Sequence, residues 1–330
     1  MNYHRPVTVG GIELPGNLFF APVAGYSDAA FRSLCVDEGA DLCYTEMVSS
    51  EALVRDHPKT ASLLERAENE RDYAIQLFGS KPRVMALAAE RAAALRPLLI
   101  DLNCGCPVPK IVKSGAGSAL VRKPELIGEI VGAMVSALSG SGIPVTVKIR
   151  SGWDERSVNY PDAAMAAVEA GAAAVTLHAR TRAQGYSGLA DWSHIAVLAR
   201  SLPVPVFGSG DVFSGAQAVK MIAETGCAGV MVARGAIGNP FIFRSAVAAL
   251  EDRAVPPPSA RERAGTARRH LELSARFLGE RTACVEFRKH FCAYTKGTAG
   301  GAELRAEAVR ASSLEAFFDL LERWLGFSEA

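Results

Sequence analysis

The chain has 330 residues, 49% of them hydrophobic and 22% charged, with 36 Lys+Arg against 35 Asp+Glu. Its apolar content excludes global disorder, and its length is too great for one small domain and suits one α/β barrel of roughly 250 residues with an appendage, or two ordinary domains. No run of about eighteen apolar residues predicts a membrane span, the N-terminus lacks a signal-peptide layout, so a cytoplasmic chain is expected, and a net charge of +1 taken over the whole chain speaks against nucleic acid.

In chain order, eight short apolar runs recur: Leu18–Pro22, Cys43–Val48, Tyr73–Phe78, Leu98–Leu102, Val145–Ile149, Ala174–His178, Val204–Phe207 and Gly229–Ala233. Several are β-branched and continuous rather than alternating, as strands buried on both faces are. Helical periodicity fills the gaps at Ser27–Glu38, Lys81–Ala94, Pro124–Leu138, Pro161–Ala170, Trp192–Ala199, Ser214–Glu224 and Pro240–Leu250. The stretch Arg55–Arg71 is polar and gives the weakest helical pattern. Ser27, Ser80 and Ser214 stand where N-caps belong, and Gly39, Gly171 and Gly226 where chains leave helices. Strict β/α alternation predicts a TIM (β/α)8 barrel. A doubly wound dinucleotide sheet is the alternative, but no Gly-x-Gly-x-x-Gly follows the first run.

After Leu250 the pattern changes. Pro256-Pro257-Pro258 is a stiff linker, and beyond it only helical periodicity is found, with Leu271, Ala275 and Leu278 on one apolar face and Phe317, Leu321, Trp324 and Leu325 on another. The predicted organisation is a barrel over residues 1–254, a linker over 255–258 and a small α-helical bundle over 259–330, too short for a free-standing core and therefore docked on the barrel. Charge is uneven across this boundary. Between Arg261 and Lys296 stand nine cations (Arg261, Arg263, Arg268, Arg269, Arg276, Arg281, Arg288, Lys289 and Lys296) and four acids (Glu262, Glu272, Glu280 and Glu286), a local net charge of +5. Such a face can bind phosphates on a chain that is neutral overall, although a solvated helix surface gives the same pattern.

The seven Cys are scattered through apolar segments and do not outline a disulfide framework. Cys104-Gly105-Cys106 is the one tight cluster, and it lacks two further ligands at metal spacing, so no metal site is expected.

In a parallel barrel the reactive groups gather at the C-terminal ends of the strands. Those ends offer Pro22-Val23-Ala24-Gly25, Gln76, Asp101 to Pro107, Lys148 and Arg150, His178 and Arg180, Ser209-Gly210-Asp211, and Ala233-Arg234-Gly235. A lone strand His or Gln is commonly structural, but a Lys inside Val-Thr-Val-Lys-Ile needs a charged partner. Glycines after the seventh strand, with Arg-Gly after the eighth, match the usual phosphate position of such barrels. Together these suggest a planar, anionic, phosphate-bearing ligand over the barrel mouth, and flavin mononucleotide (FMN) fits, with Lys148 near its electron-rich ring. Cys106, between Gly105 and Pro107, lies in a tight loop where a thiol can act as general acid or nucleophile.

As a set these motifs resemble the tRNA-dihydrouridine synthase family, most closely its bacterial B-type branch. The similar stretches are Ala-Pro-Val-Ala-Gly-Tyr-Ser-Asp at 21–28, DLNCGCPVPKIVKSGAGSAL at 101–120, VKIR around Lys148, LHART around His178, Gly210-Asp211, Arg234-Gly235 and Phe287-Arg288-Lys289-His290, so nearly the whole chain is covered. Where the family commonly has Asn-Gly-Asp and Gly-Arg, this chain has Ser209-Gly210-Asp211 and Ala233-Arg234. The resemblance implies FMN contacts at Pro22, Val23, Ala24, Gln76, Lys148, His178, Ser209, Gly210, Asp211, Ala233 and Arg234. It puts Asn103 beside the flavin and the target base, and Lys110, Lys113, Arg180, Arg288 and Lys289 toward the tRNA. The implied reaction reduces the C5=C6 bond of a D-loop uridine, position 17 for the B type. NADPH would reduce FMN, hydride would pass from flavin N5 to C6, and Cys106 would protonate C5. A monomer is expected. The rival readings are a small-molecule FMN oxidoreductase on the same barrel, a Schiff-base aldolase using Lys148, and a non-catalytic RNA-binding barrel.

Overall fold

The computed structural model describes residues 2–329. Its strands are β1 (Val7–Val9), β2 (Ile12–Leu14), β3 (Leu18–Phe20), β4 (Leu42–Tyr44), β5 (Val48–Ser49), β6 (Tyr73–Phe78), β7 (Leu99–Cys104), β8 (Val145–Arg150), β9 (Val175–His178), β10 (Val206–Ser209) and β11 (Gly229–Val232). The helices are α1 (Ala29–Asp37), α2 (Ser50–Val54), α3 (Lys59–Leu64), α4 (Pro82–Ala93), α5 (Pro109–Lys113), α6 (Pro124–Ala137), α7 (Tyr160–Glu169), α8 (Trp192–Ser201), α9 (Gly215–Thr225), α10 (Ile242–Leu250), α11 (Ala260–Leu278), α12 (Glu280–Tyr294), α13 (Gly301–Ala308) and α14 (Leu314–Glu329). No helix is long and apolar enough to cross a membrane.

Among the described residues, eight parallel strands close a ring in the order β3, β4, β6, β7, β8, β9, β10, β11, with β11 returning to pair with β3. The predicted (β/α)8 barrel is therefore present, and each of its strands falls within or beside one of the eight apolar runs. The seventh strand starts at Val206 rather than Val204, because Pro203 and Pro205 have no N–H to give to the ladder. The run Cys43–Val48 splits into β4 and the short β5, which pairs with the far end of β6.

Two hydrophobic layers hold the ring. The inner one joins Phe19, Ala21, Leu42, Tyr44, Ala74, Leu99, Ala174, Phe207 and Met231, and the antiparallel hairpin β1–β2 adds Val7, Val9 and Leu14 to it. This hairpin was not expected, since three-residue strands leave no periodicity to read. The outer layer lies between the strands and their helices and continues without a break into α11, α12 and α14.

Two of the three expected N-caps are displaced. Asp28, not Ser27, caps α1 by accepting from the Phe31 N–H at 2.8 Å, while the Ser27 hydroxyl accepts from the Val23 N–H. The Ser80 hydroxyl donates instead to the Ser114 carbonyl, and α4 opens on Pro82, which has no N–H to satisfy. Ser214 caps α9 as expected, and that helix ends on Gly226 in the left-handed conformation. The polar stretch 55–71 contains only α3, and a buried ion pair ties it to the barrel: Arg32 Nε lies 2.7 Å from Glu70 Oε1.

The C-terminal helices rest on α1. Phe31 stacks on His270 with ring centroids 5.1 Å apart, Arg269 pairs with Asp37, and Arg244 bridges Glu38 and Glu262. His270 and His290 are both fully enclosed there, and with Asp28 they bring three potential ligand atoms within 4.8 Å of one another. One oxygen of that carboxylate is committed to the α1 cap, and Arg32 and Lys289 already set positive charge against it.

Candidate active site

A cavity of about 430 Å³ opens at the C-terminal ends of the barrel strands. The ring brings together residues far apart in sequence: Pro22, Val23 and Ala24 after β3, Asn103 and Cys106 from β7 and its loop, Lys148 on β8 and His178 ending β9. Ser209, Gly210, Asp211, Ala233 and Arg234 complete the opposite wall. All these predicted positions line one cavity. Gln76 does not: it is wholly buried one layer beneath, donating to Asp101 Oδ2 at 2.7 Å and accepting from Asn103 Nδ2 at 2.7 Å.

The lining is electropositive. Lys148, Arg150 and Arg234 face a single lining carboxylate, Asp211, among the described residues. Lys148 has no hydrogen-bond or ion-pair partner among them, and burial, with Arg150 adding to it, pulls its ammonium down to about 8. Burial and the four surrounding cations hold the His178 imidazole well below its ordinary range, so it is neutral, and its buried Nε2 has no partner. A buried polar atom without a partner and an unpaired cation both cost stability unless a ligand satisfies them.

At the opposite wall the backbone is shaped for close approach. Gly210 has a φ of +122°, and a Cβ there would lie 2.8 Å from the Ala190 Cβ. Asp211 follows in the left-handed region, held by the Arg180 and Arg234 guanidiniums and by the Ala190 N–H. Arg180 was expected to reach the tRNA; the structure corrects this. It is 2% exposed, and its Nε and Nη2 donate to Asp211 and to the carbonyls of Ser187 and Gly188. A ligand of the kind these residues fit is planar and anionic, with a phosphate toward 209–211 and 234, which FMN satisfies.

Cys106 sits in a loop fixed from three sides. Asn103 Oδ1 accepts from the Gly105 and Cys106 N–H groups at 3.1 and 2.9 Å, and Ser118 donates to the Cys106 carbonyl through both its hydroxyl and its N–H. Arg150 Nε donates to the Gly105 carbonyl. Burial raises the Cys106 thiol above its ordinary value despite Arg150 and Lys148 nearby, so it stays protonated at neutral pH.

The other expected RNA contacts differ in exposure. Lys110 and Lys113 are exposed on α5, immediately after the Cys106 loop. Lys289 pairs with Glu286 and sits 5.6 Å from the ring centre of Tyr26, a cavity residue. Arg288 is turned inward to the Ala311 carbonyl. Sequence reasoning named Arg150 at its strand end but gave it no role, and gave none to Tyr26 or Tyr186. Arg150 carried a readable signal, since two residues after Lys148 on a strand it shares that face. Tyr186 did not: it stands 56% exposed in an irregular loop, with the Arg234 guanidinium 4.4 Å from its ring centre.

Comparison with known proteins gives the family and the fold. Residues 19–325 match the family model described as dihydrouridine synthase. A probable tRNA-dihydrouridine synthase of Treponema pallidum is 49% identical over 96% of this chain and 94% of its own length. One of Mycobacterium tuberculosis is 40% identical over 96% and 84%. The tRNA-dihydrouridine synthase B of Pseudomonas aeruginosa is 35% identical over 94% and 93%. Among solved structures, the histamine dehydrogenase of Rhizobium sp. 4-9 superposes with a TM-score of 0.57 at 16% identity, over 81% of this chain and 50% of that one. A 2-naphthoyl-CoA reductase gives 0.59 at 11%, over 74% and 51%. This chain thus spans about half the length of those two, and the likeness is one of fold.

Proposed function

This chain belongs to the dihydrouridine synthase family, and we propose that it is a flavin-dependent tRNA-dihydrouridine synthase, reducing the C5=C6 bond of a D-loop uridine. The observation that carries this reading is the barrel mouth itself, where unpartnered Lys148 and neutral His178 lie beside a protonated thiol in one cavity. FMN, when bound, supplies two-electron hydride chemistry, with NADPH as the reductant. Lys148 would hold its electron-rich ring, His178 Nε2 would gain a partner, and Arg234 with the backbone of 209–211 would hold its phosphate. Pro22, Val23, Ala24 and Ala233 provide small or flat surface against it.

Cys106 carries the proton for uracil C5, and Asn103 lies where the base would enter. The uracil must leave its stack to reach them, which requires a grip on the surrounding RNA. Lys110, Lys113 and Lys289 lie on that side, and the helices of residues 259–330 form the tRNA-binding domain, joined by 255–258 to the flavin barrel of 1–254. Purified protein is expected to show a bound-flavin absorption spectrum. With NADPH it should raise dihydrouridine at one D-loop position in tRNA from cells lacking the protein. Colourless protein that leaves such tRNA unchanged would overturn the reading, and borohydride trapping of a carbonyl compound on Lys148 would replace it with an aldolase.

A further inference from the structure

We infer that Asp101 is a positioning residue that sets the direction of a chain of side-chain amides and thereby fixes the Cys106 loop at the cavity. Asp101 is wholly buried in β7, between Gln76 on β6 and Thr146 on β8, its register partners on either side. Its Oδ1 accepts from the Thr146 hydroxyl at 2.6 Å and its Oδ2 from Gln76 Nε2 at 2.7 Å. An ionised carboxylate has no proton to give, so Gln76 must turn its NH2 toward Asp101 and its carbonyl toward Asn103. Asn103 must then offer its own NH2 to Gln76, which leaves Oδ1 facing the loop, where it accepts from Gly105 and Cys106.

Each amide could be reversed without changing its shape, so shape alone does not choose the orientation. Reversal would aim Asn103 NH2 at two N–H groups and leave both unsatisfied. The acceptor-only end of the chain forbids this, and the preference is passed along two buried hydrogen bonds to the two that Asn103 Oδ1 accepts. Lys148 is the charged side chain bearing on Asp101, and Tyr44 and Cys104 are the other titratable neighbours. Asp101 touches neither the cavity nor the thiol, and acts only through Gln76 and Asn103. The significance of that placement rests on Cys106 being the proton donor; the placement itself does not.

The test reads the thiol directly, in the intact chain without tRNA or NADPH. Alkylation of Cys106 by iodoacetamide is followed by peptide mass across pH 6.5–10, because Cys292 is also partly accessible. Asp101→Asn permits reversed amides, and the loosened loop loses the burial that raises the thiol. Cys106 alkylation at pH 8 is expected to quicken at least threefold and its midpoint to move down. Gln76→Met keeps the charge and removes the amide that passes the preference on to Asn103, and a change of the same sign is expected. It carries the test alone if Asp101→Asn does not fold. Profiles that superimpose on the parent in every variant that folds overturn the proposal, while a shift in thiol reactivity with no dihydrouridine formation would fault the functional reading and leave the positioning role standing.

Discussion

The chain has two basic regions, and they carry their charge differently. Between 261 and 296 the cations are many and mostly engaged: Arg263 donates to the Tyr294 carbonyl, Arg268 pairs with Glu272, Arg269 with Asp37, Arg288 with the Ala311 carbonyl and Lys289 with Glu286. At the barrel mouth there are fewer, yet Lys148 has no hydrogen-bond or ion-pair partner among the described residues. Exposed pairs of the first kind contribute little and are easily rearranged. Lys148 feels the charge of Asp101 but contacts no carboxylate, and a buried cation so weakly compensated costs stability if nothing binds it. Unsatisfied charge, rather than abundant charge, therefore marks where a ligand belongs.

The strongest way to break this comparison is to remove the thiol while keeping the charges. Cys106→Ala is expected to bind flavin and tRNA within about threefold of the parent, yet lose about 10²–10⁴ of its rate of dihydrouridine formation, the usual worth of a positioned acid. Single-turnover assays on flavin-loaded protein measure this, and a variant as fast as the parent would remove Cys106 from the chemistry. Removing the unpaired charge comes next. Lys148→Met should weaken flavin binding by about 10–100-fold, the value of a charge-assisted contact, while making the empty protein no less stable. Flavin fluorescence titration and urea unfolding of the two proteins separate these effects. A loss of stability with unchanged flavin affinity would mean that Lys148 serves the fold.

The barrel was legible because burial on both faces leaves long apolar runs, and even the run Tyr73–Phe78 matches β6 residue for residue. Most predicted cofactor positions lie at strand ends, which the ring topology places around one mouth, so knowing the fold was nearly enough to gather them. What stayed hidden was direction. Gln76 and Arg180 were visible as polar residues at strand ends, but only the packing shows that Gln76 points under Asn103 and that Arg180 turns to Asp211. The hairpin β1–β2 was hidden because three-residue strands show no period, and the enclosed pair His270 and His290 because its burial depends on contact with α1, distant in sequence.

That pair supplies a third prediction, on the seam between the two regions. Burial drives His270 down to about 3 and His290 well below its ordinary value, so the folded chain keeps both neutral while the unfolded chain protonates them near 6.5. The folded state then binds fewer protons, and stability is full above about pH 6.5 and falls as pH drops toward the folded values. The limiting slope is about 1.4 kcal/mol per pH unit for each imidazole. Asp28 nearby would partly compensate the new charge and keep the slope below that limit. Urea unfolding at pH 7.5, 6.5 and 5.5 should show the decline, and His290→Leu should flatten it. An equal slope in that variant would place the titration elsewhere.

The smallest effects fall on the exposed face of the helices, and they sharpen the distinction most. Arg276 and Arg281 are exposed and have no partner among the described residues, whereas Arg269 is equally basic and already paired with Asp37. If unsatisfied charge marks the ligand on this surface as it does at the mouth, Arg276→Ala and Arg281→Ala should each weaken tRNA binding a few-fold. Each should also reduce the slope of log affinity against log salt by about 0.7–0.9, one phosphate contact apiece. Arg269→Ala should leave the slope unchanged and loosen only the seam with α1. Should Arg269→Ala flatten the slope as much as the other two, the surface pair opens to phosphate, and partnering would distinguish ligand sites only where the charge is buried.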